Sequence, residues 1–95
     1  MSEIKEIECS IIGRVTGVMF RDFVCRQARR FGLIGTVQNQ PDRTVRVVAQ
    51  GDETSLRQLI SELNRGSIFS NVEKVEVIWR APIRASEKKF KIIYG

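Results

Sequence analysis

Two stretches of this chain carry residues whose types and spacing could do chemistry. The first is Gly13-Arg14-Val15-Thr16-Gly17-Val18-Met19-Phe20-Arg21, a loop with two glycines that ends on an arginine. A glycine-containing loop that feeds a helix can turn consecutive backbone N–H groups inward as a nest. The helix N-terminus adds unpaired N–H groups and about half a positive charge. Anions bind such junctions. Arg21 falls in the first turn of the expected helix, where a cation opposes the helix dipole. An anion held between Arg21 and the loop N–H groups reverses the sign of that term. Arg14 adds to the positive field, and Asp22 partly offsets it in the empty state. A plainer reading stays open beside this one: Gly13 and Gly17 make a turn, and Arg21 is a solvated side chain.

The second stretch ends on Asn39. From Arg21 the helix runs about 11 residues away, roughly 17 Å. The strand expected over Ile34 to Asn39 covers a similar distance, roughly 17 Å. If it runs antiparallel to the helix, Asn39 returns to the level of Arg21. A cation and a neutral amide then share one end of the domain. Asn39 also suits the turn that follows at Gln40-Pro41.

Histidine is absent. A Ser-His-Asp or Cys-His site within the chain is therefore excluded, and any chemistry must use charge, backbone dipoles and positioned water. Cys9 and Cys25 have no metal-ligand spacing and read as small buried hydrophobes, with a disulfide between them left open.

The elements that must position these residues are legible as periodicities. Ile7, Cys9 and Ile11 alternate with polar neighbours as a half-buried strand. Phe20, Val24, Ala28 and Phe31 lie on one helical face, with Arg26, Arg29 and Arg30 away from it and Gly32 at the end. Ile34 to Asn39 and Val45 to Ala49 read as a hairpin across the turn Gln40-Pro41-Asp42-Arg43. Asp52 caps a second helix whose Leu56, Leu59, Ile60 and Leu63 form one stripe, stopped by Gly66. Val75, Val77 and Trp79 mark a fourth strand, and Phe90, Ile92 and Tyr94 a short last one. No periodicity organises Ala81 to Lys89. The order predicts an α+β, ferredoxin-like βαββαβ sandwich: a mostly antiparallel sheet, two helices on one face, and a short extra C-terminal strand.

The 95 residues predict a single domain, 1–95. The charged N-terminus lacks a secretory signal pattern, and no apolar run is long enough for a membrane span, so a soluble cytoplasmic protein is expected. The net charge of +5 favours anionic partners such as phosphorylated metabolites or nucleic acid.

At the two motifs the likeness to a known family becomes specific. The run from Gly13 to Arg21 resembles the signature loop of the acylphosphatase family. Gly32-Leu33-Ile34-Gly35-Thr36-Val37-Gln38-Asn39 resembles its second motif, and Asp42 to Val45, Gly51 and Phe90 to Tyr94 also fit. The resemblance implies metal-free hydrolysis of acyl phosphates without a cofactor. It implies that the backbone of Val15, Thr16, Gly17, Val18, Met19 and Phe20 holds the phosphate together with Arg21, and that Asn39 positions water. A small-molecule acyl phosphate is then the partner; a monomer is the default, and neither nucleic acid nor membrane is expected. The sequence departs from the family pattern at Thr16, where Gln or His is usual, at Thr36 for Trp, at Arg43 for Gly, and at Ser67 for Pro. Two competing readings remain: an RNA-binding ferredoxin-like module, and a non-catalytic phosphate-binding sensor. Against the first, Thr44 to Gln50 lacks the aromatic residues on which such sheets stack bases.

Overall fold

The computed structural model describes residues 3–83 and 88–94. Residues 84–87, within the aperiodic stretch Ala81 to Lys89, lie outside the described residues. The elements are β1 (Lys5–Arg14), α1 (Phe20–Arg30), β2 (Ile34–Asn39), β3 (Val45–Gly51), α2 (Glu53–Arg65), β4 (Asn71–Arg80) and β5 (Phe90–Ile93). The sheet order is β4-β1-β3-β2-β5, with β5 parallel to β2 and every other neighbour antiparallel. This is the expected ferredoxin-like α+β sandwich. The two outermost strands differ from the sequence reading in detail: β5 stops at Ile93, one residue before Tyr94. β4 begins four residues before Val75, because its N-terminal half pairs with β1 as far as Arg14↔Asn71.

The helices obey their apolar spacing. Phe20, Phe23, Val24 and Ala28 are buried on α1, while Arg26, Arg29 and Arg30 are exposed. Phe31 is only half-buried, because it is already the C-cap. Gly32 takes φ 71° and ends the helix, with its N–H on the Arg29 carbonyl. On α2, Leu56, Leu59 and Leu63 are fully buried, each contributing about 1.5–3 kcal/mol of transfer free energy. Asp52 caps that helix, accepting from the Ser55 N–H at 2.7 Å. Helix α1 lies over β2 and β5, and α2 over β4, β1 and β3. Between helices and sheet sit Ile7, Cys9, Ile11, Val37, Val45, Val47, Ala49 and Phe90. Both cysteines are free and buried. Burial pushes the Cys9 thiol up to about 12, so it stays a neutral core group.

The opposite sheet face is polar, and its centre is an ion-pair network. Arg80 bridges Glu6 and Glu8, and Arg46 also pairs with Glu8 at 3.0 Å. Glu6 is 2% exposed. Gln50 donates to Glu6 at 2.6 Å and to the Ile83 carbonyl at 2.7 Å, which ties the chain after β4 across this face. Burial opposes the Glu6 charge, but the hydrogen bonds from Gln50 and Arg80 outweigh it and hold the carboxyl below its ordinary value of 4.5. A depressed folded-state value contributes stability in full above about pH 4.5, and that stability is lost as the pH falls through the lower value. Glu6→Gln should therefore cost about 2 kcal/mol near neutrality and much less at about pH 3. Urea unfolding of both proteins at the two pH values measures this. A stability gap that does not close in acid would rule out the charge as its source.

Candidate active site

Strand directions bring six chain ends to one edge of the domain. Because β3 runs against both β1 and β2, the ends of β1 and β2 share that edge with the start of β3. Antiparallel β4 starts there, parallel β5 finishes there, and α1 begins there. The two motifs of the sequence thus meet.

The first motif leaves β1 through a bulge. The pairing with β4 shifts between Ile12 and Gly13, and Gly13 takes φ 139°. A Cβ on Gly13 would sit 2.2 Å from the Asn71 carbonyl oxygen, so the chain can pass there only as glycine. Four residues on, Gly17 has open space around it but takes φ 71°, and Met19 takes φ 59°. Gly17 is needed for conformation rather than room. Met19 is the N-cap of α1 and gives it no side-chain cap. A left-handed methionine, 75% exposed, is an unfavourable way to start a helix. Val15 and Phe20 are buried and anchor the loop at both ends. Val18 packs half-buried against the core. Among the described residues, no backbone carbonyl accepts from the N–H groups of residues 16–22. The loop therefore carries a run of free donors ending at a helix N-terminus.

Arg21 is half-buried, and the C-terminal strand holds its side chain. Its Nη1 donates to the Ile93 carbonyl at 3.4 Å, and the guanidinium lies over the Tyr94 ring, 4.9 Å from the centroid. It pairs with no carboxylate among the described residues, and the neighbouring Asp22 is occupied by Arg26 at 2.9 Å. Ile93 faces Gln38 in the β2–β5 register, so Arg21 reaches a residue paired beside Asn39. Asn39 follows Gly35 and Val37 on the core-facing side of β2. Its Oδ1 is buried and has no hydrogen-bond partner among the described residues. Leaving such an oxygen unpaired costs about 1–3 kcal/mol.

The hairpin beyond Asn39 also reaches the loop. Gln40 accepts from the Arg43 N–H at 3.0 Å, which closes the turn read from Pro41-Asp42. Arg43 takes φ 70°, the left-handed position that three-residue hairpin loops usually give to glycine. Its Nη2 stands 3.5 Å from Thr16 Oγ1. Arg14 lies at the other flank, its Nη2 3.5 Å from the Phe69 carbonyl. Among the described residues there is no cluster of three or more Cys, Asp or Glu that could hold a metal ion.

A model of the acylphosphatase family matches residues 7–92. The chain belongs to the acylphosphatase family. It is 42% identical over 84 residues to an acylphosphatase of Clostridium acetobutylicum, covering 88% of this chain and 91% of the relative. With an acylphosphatase of Geobacillus thermodenitrificans it shares 36% over 92 residues, 97% of each chain. The crystal structure of the acylphosphatase from Bacillus subtilis matches with a TM-score of 0.90 and 32% identity, over 95% of this chain and 99% of that one. As a family member the chain is a hydrolase of the acylphosphatase class, and its substrate is a small molecule. Two features of the candidate-site edge of this acylphosphatase escaped the sequence reading. Tyr94 appeared as a strand residue and as the end of a run that fits the family, without a site role, and Arg43 as a departure in a turn. The second did carry a signal, since a non-glycine residue after Asp42 marks a strained position.

Proposed function

We propose that the loop Val15–Phe20 and Arg21 bind the phosphate of an acyl phosphate, and that Asn39 orients the water that attacks it. The observation that carries this reading is the run of free N–H donors at residues 16–22 beside a guanidinium with no carboxylate partner among the described residues. Those donors match the three peripheral oxygens of a phosphoryl group, whose transfer is governed by positioning and charge stabilisation. The half-buried Arg21 adds charge-assisted hydrogen bonds. The unpaired Asn39 Oδ1 is suited to accept from a water, and its amide fixes the direction of attack.

The bonds balance without a protein base. Water oxygen attacks phosphorus, the P–O bond to the acyl group breaks, and the acyl part leaves as a carboxylate. A carboxylate is a good leaving group and needs little protonation. The proton of the water passes to a phosphate oxygen of the substrate. No metal or cofactor is required by these steps. The reading makes the protein a cytoplasmic monomer that has no nucleic-acid partner, consistent with a third strand lacking aromatic residues.

The test is hydrolysis of an aromatic acyl phosphate such as benzoyl phosphate, with and without a chelator. Turnover should survive the chelator undiminished. The pH–rate profile should show no essential enzyme group near neutrality. A protein that binds phosphate yet never turns over the substrate is a sensor, and the catalytic reading would be abandoned.

A further inference from the structure

Arg43 is the second guanidinium at the mouth of the loop, and the protein gives it little to do. Its contact with Thr16 Oγ1, at 3.5 Å, is long and goes to a neutral partner. Among the described residues it pairs with no carboxylate. Asp42, its neighbour in sequence, turns its Oδ1 to Thr44 instead, accepting from the Thr44 N–H at 3.0 Å and from the Thr44 hydroxyl at 2.6 Å. Arg43 also sits in the left-handed region, an arrangement that costs stability at an arginine but little at glycine or asparagine. The side chain is exposed and spans from the β2–β3 hairpin to the first residues of the loop. Strain and an idle charge at the rim of a binding site together mark a group kept for something outside the chain.

We propose that Arg43 is a specificity-determining residue that selects acyl phosphates whose acyl part carries a second anionic group. This rests on reading the Val15–Phe20 loop as the phosphate cup. The free N–H groups and Arg21 already supply donors for the phosphate itself. On that reading, a cation beside Thr16 is placed to meet what protrudes from the cup, which is the acyl part. Between a neutral and an anionic acyl group, Arg43 acts on the second alone.

Two substrate pairs test this, each differing by one carboxylate: 4-carboxybenzoyl against benzoyl phosphate, and succinyl against butyryl phosphate. The readout is the ratio of kcat/KM within each pair, for the native protein, Arg43→Gly and Arg43→Asn. Both replacements tolerate a positive φ, so the hairpin keeps its shape. At low salt the anionic-to-neutral ratio should fall about fivefold to tenfold in both variants, because an exposed charge pair is modest in strength. In the native protein the ratio should shrink toward the variants' value at about 0.5 M salt. An unchanged ratio in either pair's variants, with benzoyl phosphate still turned over, overturns the role of Arg43 and leaves the active-site reading intact. An equal loss on both members of a pair does the same, since Arg43 would then serve the loop or the phosphate. Absence of any turnover by the native protein overturns both.

Discussion

Arg21→Ala is expected to lower kcat/KM for benzoyl phosphate by about three orders of magnitude, comparable to removing an aimed donor and a charge from an anion site. The loop alone still offers N–H groups, but the charge that pairs with the dianion is gone. Arg21→Lys should recover only a small part of the loss. A lysine brings one point charge, not a planar fork that can meet two oxygens at once. It also stacks less well on Tyr94, the ring that helps to fix the guanidinium. Retention of more than a tenth of the native rate in Arg21→Ala would remove Arg21 from the site.

The same substitution has a second readout in stability. A cation at a helix N-terminus is unfavourable by about 0.3–1 kcal/mol. Removing it relieves that term, while the long hydrogen bond to Ile93 and the Tyr94 contact are lost. The two effects nearly cancel, so the unliganded variant should melt within a few degrees of the native protein. Inorganic phosphate should raise the melting temperature of the native protein and leave Arg21→Ala unmoved, because only a ligand bound to the folded state shifts unfolding. A residue kept for structure would give the reverse pattern: a large fall in stability and a preserved response to phosphate.

The parts of this site that the sequence made legible are those governed by backbone rules. Gly13 and Gly17 were readable as places where the chain must take conformations closed to other residues, and both take positive φ. Arg21 was readable as a cation at the wrong end of a helix. The meeting of Asn39 with that end followed from counting rises along a helix and a strand. What was not legible depends on long side chains crossing between elements. The reach of Arg43 to Thr16 spans 27 residues of sequence, and that of Arg21 to Ile93 spans 72. No periodicity encodes such contacts. The first exists because β1 pairs with β3, which brings the β2–β3 hairpin beside the loop after β1. The second exists because β5 pairs in parallel with β2, and the pairing of a four-residue strand is set by tertiary packing. The Glu6–Arg80–Gln50 network is hidden for the same reason: alternation along β1 assigns Glu6 to the solvent side, but the chain around Ile83 covers it.

Asn39→Ala separates catalysis from binding more sharply than any other change. The carboxamide oxygen has no partner among the described residues, so deleting it breaks no hydrogen bond to them. Stability should hold, or rise by about 1 kcal/mol as an unpaired buried oxygen disappears. The loop N–H groups and Arg21 remain, so the melting shift produced by inorganic phosphate should match that of the native protein. Turnover should fall by about a hundredfold to a thousandfold, with KM for benzoyl phosphate little changed. That split distinguishes a water-orienting amide from one that binds substrate, whose loss would raise KM instead. Asn39→Asp sharpens the contrast further. It restores an acceptor of nearly the same shape but sets a negative charge beside a dianion, so it should weaken phosphate binding that Asn39→Ala leaves intact. If Asn39→Ala turned over substrate at the native rate, water would have to be oriented by another group, and the shared edge of Arg21 and Asn39 would have no catalytic meaning.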